Sequence, residues 1–336
     1  MALLRSKSPL LGFLRRRLLQ VLPVVFGIAL LNFLILQLAP GDVVDVLAGE
    51  AGAATPEYMA QLRASFGLDQ PLGVQFWHYM TSVATLDLGW SFRQNMPVLA
   101  LILERMPATL LLMGSAIGFA LALGVLLGVV SAVRVHGWVD DVVSVFVLLT
   151  YALPTFWLGL MAMVLFSARL GWLPSGGMVD LGASHSGLAW VLDVARHALL
   201  PALTLSTFYL AVYTKLVRTS MLELYGADFI RTARAKGAGE LRITVRHALR
   251  NALLPLLTMV GYQVASLLSG AVLVESVFNW PGIGRLAFEA IMSRDFNLLL
   301  GILLLSSILV TLINVVVDLL YAWLDPRVQL TGGAHA

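Results

Sequence analysis

Apolar residues run along this chain in long blocks rather than in alternation. Six stretches qualify as bilayer spans: Leu18 to Leu38, about Ala108 to Val133, about Val142 to Ala168, about Ala198 to Leu216, about Ala252 to Val274 and about Leu298 to Trp323. A spanning helix needs about 20 mostly apolar residues. Lipid offers no partner to an unpaired backbone amide, so only helices and closed barrels cross it. Continuous apolar runs without period-two alternation predict helices. The pattern therefore predicts an all-α membrane protein with six transmembrane helices.

Polar and Gly/Pro-rich sequence marks the ground between the spans. Residues 39–107 read as a structured helical segment. Thr55 is placed to cap a helix opened by Pro56, with Gly67 just past its end. A second short helix is expected from Pro71, with Leu72, Phe76, Tyr79 and Val83 on one face, and Pro97 opens a third, apolar one. Gly114-x-x-x-Gly118 and Gly124-x-x-x-Gly128 in the second span predict close helix packing. Pro154, Pro201 and Pro255 are expected to kink their spans.

Composition supports the bilayer reading. Of 336 residues, 59% are hydrophobic and 12% charged, against about 25% charged in a soluble domain; mean hydropathy is +0.87. The absence of cysteine excludes disulfides, thiolate chemistry and Cys-based metal sites. The six histidines are scattered, and none pairs with another at helical spacing, so no metal site is expected.

Charge placement gives an orientation. With the N-terminus in the cytoplasm, 15 of the 22 lysines and arginines fall on the inner side and 7 on the outer, although the outer segments are longer. The positive-inside rule then places both termini in the cytoplasm of a cell whose inner membrane holds the chain. The expected organisation is a cytoplasmic N-terminus (1–17), a first transmembrane helix (18–38), an external, periplasmic segment (39–107), a five-helix core (108–323) containing a cytoplasmic loop (217–251), and a cytoplasmic tail (324–336). The first run exceeds the usual signal-peptide core of about 7–15 residues, and no A-x-A-like site follows it, so it is expected to stay as a span.

Enzyme signatures are missing. "GIGRLA" at 282–287 matches a dinucleotide fingerprint, but it lies between two spans and not in a βαβ unit. No P-loop, H-E-x-x-H or G-x-S-x-G is present, and no catalytic residue is expected. Intramembrane ionisable groups are functional candidates by default. Glu275 and Asp318, with Gln263 and Asn314, are thus candidates for a translocation pathway or gate; helix-to-helix packing is the competing role for each.

The block "FIRTARAKGAGELRITVRHALRNALLP", residues 229–255, concentrates cationic residues between two spans. Three readings compete: a solvated loop that only fixes topology, a patch for anionic membrane lipid, and a docking surface for a cytoplasmic protein. Phe229 to Lys236 predicts two helical turns ending at Gly237, a glycine C′ position. Glu240 then opens a second helix, with Arg242, Arg246 and Arg250 on one face. A loop serving topology alone needs no such order, whereas a short exposed helix on an elbow suits insertion into a partner groove.

This block resembles the cytoplasmic loop of ABC-transporter permeases in the form "RTARAKG…RHALRNALLP". Further likenesses to the first membrane subunit of the dipeptide/oligopeptide importers are "APGD" (39–42), "FGLDQPL" (66–72), "DLGWSF" (87–92), "RMPATL" (105–110), "LPTFWLGL" (153–160), "GWLP" (171–174), "LPALTL" (200–205) and "ESVFNWPGIGRL" (275–286). Arg231-Thr232-Ala233 stands where the broader family has E-A-A, and Pro255 lies farther from Gly237 than in the general pattern. Both departures fit the peptide branch.

The resemblance covers about residues 12–328 and implies a six-transmembrane-helix ABC importer permease fold. It implies a paralogous second permease subunit, two cytoplasmic ABC ATPases, and a periplasmic or lipid-tethered substrate-binding protein, with no role for nucleic acid. ATP and Mg would act on the ATPase chains, with no cofactor bound directly by this one. The residues it marks for ATPase docking are Arg231, Thr232, Ala233, Arg234, Ala235, Lys236 and Gly237, followed by Arg242, Arg246 and Arg250. Peptides are the implied cargo; relatives also carry glutathione or nickel chelates. The rival class is an ion-gradient-driven secondary transporter or channel, but neither an internal repeat nor a buried ionisable cluster supports it.

Overall fold

The computed structural model describes residues 9–38, 44, 55–65, 67–180, 182 and 186–324. The chain divides into two compact units, Met1–Leu103 with Glu289–Val315, and Glu104–Phe288 with Val316–Ala336. "APGD" and the tail from residue 325 lie outside the described residues.

In the first unit, α1 (Pro9–Leu38) begins nine residues before the predicted span. Helix α2 (Pro56–Ser65) starts at the predicted proline. The Tyr58 amide donates to Thr55 Oγ1, and Gly67 closes the helix at φ +66°. Helix α3 (Leu72–Ala84) follows Pro71. Its predicted apolar face packs on α1: the Phe76 ring meets Phe33 edge-on at 5.3 Å, and Tyr79 lies 6.1 Å from Phe33.

A two-residue ladder, β1 (Trp90–Ser91) with β2 (Met96–Pro97), leads into α4 (Val98–Val133). The helix opened by Pro97 and the second span are one 36-residue helix, not two. Pro107 lies inside it. Helix α12 (Phe296–Leu324) is capped by Asp295, whose Oδ1 accepts from the Leu298 amide while Oδ2 accepts from the Ser91 hydroxyl. Gly301 of α12 lies against the start of α4, where any Cβ would collide with Val98 Cγ1.

The second unit is built on α7 (Leu188–Tyr225), 38 residues long and buried along much of its length. At 1.5 Å per residue it extends for about 57 Å, so it reaches well past both ends of the span predicted at 198–216. Gly124 and Gly128 of α4 let that helix pack on α7. A Cβ at Gly128 would stand 2.8 Å from the Thr214 carbonyl. At Gly114 and Gly118 a Cβ would meet nothing within 4 Å, so among the described residues the second glycine pair is the one that packs closely.

The third predicted span is not one straight helix. It consists of α5 (Trp138–Ala152), then α6 (Thr155–Ala162) continuing as a π-helical stretch, Met163–Arg169, with a 107° bend between the two legs. Leu153 is extended at ψ 140°, because a residue before proline is pushed out of the α region. The fifth span is bent too. Here α9 (Glu240–Arg242), a π-helical stretch Ile243–Leu249 and α10 (Arg250–Val277) follow one another, with a 70° bend between Glu240–Gly261 and Ser266–Val277. Among the described residues, four helices alone are long and apolar enough to cross a membrane, and the number reaches six when each bent pair forms one span.

Candidate functional site

The cationic block folds as a lever on the end of α7. Helix α8 (Asp228–Ala235) follows α7 after two intervening residues. Ile230 is its one buried residue, while Arg231, Thr232, Arg234, Ala235, Lys236 and Gly237 are exposed and Ala233 is partly so. The helix ends in a double hydrogen bond: the Gly237 amide donates to the Arg234 carbonyl and the Ala238 amide to that of Ala233. This is the Schellman closure, which needs a left-handed C′ residue, and Gly237 has φ +78°.

The chain after the elbow is not a separate short helix. It runs from Glu240 through the π-helical stretch straight into α10. Arg234 spans the elbow, with Nε donating to Glu240 Oε1 at 2.9 Å and a second nitrogen to Oε2 at 3.2 Å. The Glu240 carboxylate holds the Arg234 guanidinium above its ordinary pKa. Arg242, Arg246 and Arg250 are all exposed and make no ion pair with another described residue.

Two contacts tie the lever to the bundle. The Tyr225 hydroxyl, at the last residue of α7, lies 3.0 Å from Thr244 Oγ1 on the far side of the elbow. Two turns earlier Arg218 makes a two-pronged bond to Asp140 at the start of α5, at 2.8 and 2.7 Å. Asp140 is buried, and its carboxylate also accepts from the Ser131 hydroxyl and the His136 amide. Charge counting treats Arg218 only as a topology marker, and Asp140 carries no signal beyond being an acid in the first turn of a helix. Their pairing depends on two helices meeting 78 residues apart.

The side chains of three of the four gate candidates, Glu275, Gln263 and Asn314, are described. Glu275 is fully buried; its Oε1 accepts from the Thr109 hydroxyl at 2.7 Å and its Oε2 from the Arg285 amide at 2.9 Å. Thr109 in turn accepts from the Ile283 amide. The carboxylate thus sits at the N-terminus of α11 (Ile283–Met292), where unpaired amides favour an anion. This explains "GIGRLA": a Cβ on Gly282 would collide with the Glu275 carboxylate, and one on Gly284 would stand 2.6 Å from Val272 Cα. The glycines make room for the protein's own carboxylate and for helix packing, not for a nucleotide.

Gln263 is buried near the bend of α10, and its Oε1 has no hydrogen-bond partner among the described residues. It stands twelve residues from Glu275 on the same helix. The neighbouring Ser266 hydroxyl lies 3.1 Å from that of Tyr209 on α7. Asn314 is exposed on α12, and the Asp318 side chain lies outside the described side chains.

The described helices thus include two bent spans and an exposed cationic helix on an elbow after α7. Residues 124–330 match the family described as "Binding-protein-dependent transport system inner membrane component", and residues 10–113 match its N-terminal companion. The chain belongs to this family of ABC importer permeases.

It is 41% identical over 338 aligned positions to the dipeptide transport system permease protein DppB of Escherichia coli (strain K12), covering 95% of this chain and 99% of that one. It is 40% identical to the di/tripeptide transport system permease protein DppB of Pseudomonas aeruginosa (strain UCBPP-PA14), covering 95% and 99%. In fold it is similar to a chain of the inward-facing MetNI methionine ABC transporter, with a TM-score of 0.53 and 19% identity over 67% of this chain and 96% of that one. The protein is therefore a multi-pass membrane subunit of a binding-protein-dependent ABC transporter. It is a transport subunit.

Proposed function

We propose that this chain passes peptides, di- or oligopeptides, inward across the cytoplasmic membrane, driven by ATP hydrolysis on separate ATPase chains. The observation that carries the coupling role is the lever itself: α8, closed by Gly237 and bridged by the Tyr225–Thr244 bond, exposes Arg231, Arg234 and Lys236, with Arg231 paired to Asp228 and Arg234 to Glu240. Short connections join α8 to α7 and to the helical stretch that leads into α10, and the Tyr225–Thr244 bond bridges the two, so a push on α8 is passed to both. The peptide cargo is supported by the names of the relatives above.

In this reading both termini and the lever face the cytoplasm, as the distribution of lysine and arginine favours. A paralogous permease completes the pathway, two cytoplasmic ATPases each take one lever, and a periplasmic or lipid-tethered binding protein brings cargo to the outer face. ATP and Mg reside on the ATPases. Glutathione and nickel-chelate import are the variants to test against.

The test is uptake of labelled dipeptide by vesicles holding the complete assembly. We expect uptake that needs ATP and the binding protein and survives a protonophore. Uptake that follows the proton gradient and ignores ATP would overturn the proposal.

A further inference from the structure

A second polar cluster lies at the opposite end of α7 from the lever. Asp193 and His197 stand one turn apart on α7 and are both buried, at 7% and 5% exposure. Asp180 comes from the preceding connection, with its side chain 63% exposed. Its amide donates to Asp193 Oδ2 at 3.0 Å, which folds the connection onto the helix.

The hydrogen bonds assign the imidazole protons. Nδ1 of His197 faces two acceptors, the Asp193 carbonyl at 2.9 Å and Asp193 Oδ1 at 3.1 Å. Nδ1 therefore donates toward Asp193. Nε2 faces Asp180 Oδ1 at 3.6 Å. The gap is too long for a hydrogen bond. No Lys or Arg among the described residues pairs with either aspartate.

A cation between Nε2 and Asp180 Oδ1 resolves both features. Zinc binds His nitrogen and carboxylate oxygen at about 2.0–2.2 Å, which in a tetrahedral site sets neighbouring ligand atoms roughly 3.4 Å apart. Carboxylate on Nδ1 with metal on Nε2 is the arrangement that orients a ligating histidine. One ligand atom from each of the three residues lies within 4.8 Å of the others.

We propose that Asp180, Asp193 and His197 form a binding site for a divalent zinc-class cation. His197 Nε2 and Asp180 are the direct ligands, and Asp193 orients the ring through Nδ1. Water fills the open side at the exposed Asp180. The bound ion clamps the connection before α7 onto the N-terminal end of that helix. Paired histidines at helical spacing do not reveal this site, because two of its three groups are carboxylates, one of them at i,i+4 from the histidine. That this end of α7 faces outward rests on the orientation proposed above; the metal site itself does not.

The full-length chain is purified in detergent with a tag lacking histidine, stripped with chelator and equilibrated with zinc chloride. Metal content and calorimetry give stoichiometry and affinity, and thermal melting monitors the fold. We expect one zinc per chain. Asp180→Asn, at an exposed position, and His197→Gln should each abolish binding, and Asp193→Asn should weaken it by about 10–100-fold. Zinc should raise the melting temperature of the wild type but not of Asp180→Asn. Absence of zinc binding by the wild type, or undiminished binding by Asp180→Asn and His197→Gln, overturns the proposal. Peptide uptake is not the readout, so failure here leaves the transport reading untouched.

Discussion

Single residues carry two of the decisions in this protein. Gly237 has open space around its missing Cβ, so its requirement comes from the backbone alone. A left-handed φ costs an L-residue roughly 1–2 kcal/mol, and a β-branched side chain bears it worst. Gly237→Val should therefore reopen the elbow without disturbing the spans. We expect unchanged membrane insertion, measured by protein level in the membrane fraction, and at least about a tenfold loss of ATP-driven peptide uptake, close to the ~1.4 kcal/mol that a tenfold change represents. Normal uptake would remove Gly237 from the coupling role. Glu275 is the opposite case. Its environment is full: a threonine hydroxyl, a helix N-terminus and glycines pressed against it. The carboxylate is built into the packing, and its sequence context as a lone acid near the end of a span conceals that.

At the scale of elements, the joint between α5 and α7 stands out. Asp140 and Arg218 bond in two prongs where α4, the turn after it, and α7 converge. Removing one partner of a buried pair typically costs about 3–5 kcal/mol, and the part-exposed Arg218 places this pair toward the lower end. Asp140→Ala should lower the melting temperature of the purified chain. Arg218→Ala in that background should cost much less than Arg218→Ala alone, since the partner is already gone. Additive losses in the double-mutant cycle would show that the two side chains act independently. The broken span α5–α6 belongs to the same scale. Proline at 154 was readable as a kink, but a 107° bend with a π-helical continuation follows from what the two legs pack against.

For the whole molecule, the exposed arginines decide whether the lever grips or merely sits at a surface. Arg242, Arg246 and Arg250 keep their charge when changed to lysine but lose the planar fork that matches a carboxylate. If they meet partner carboxylates, the triple Arg→Lys variant should insert normally, yet bring down markedly less ATPase when purified from cells expressing all subunits. Equal recovery would assign them to topology or to anionic lipid.

The helical character of the apolar runs, the capped helix at Thr55–Gly67, the amphipathic face of α3 and the glycine elbow were all legible in the chain. Each depends on neighbours within a turn or two: apolar run length, capping chemistry and the φ that only glycine takes easily. The unbroken helix through residues 98–133, the two bent spans, the Asp140–Arg218 joint, the carboxylate held by "GIGRLA" and the meeting of Asp180 with His197 were decided only in the tertiary structure. The reason is physical. Helix boundaries and caps are set by local backbone energetics, whereas a bend or a buried ion pair exists only once distant helices pack and exclude lipid and water.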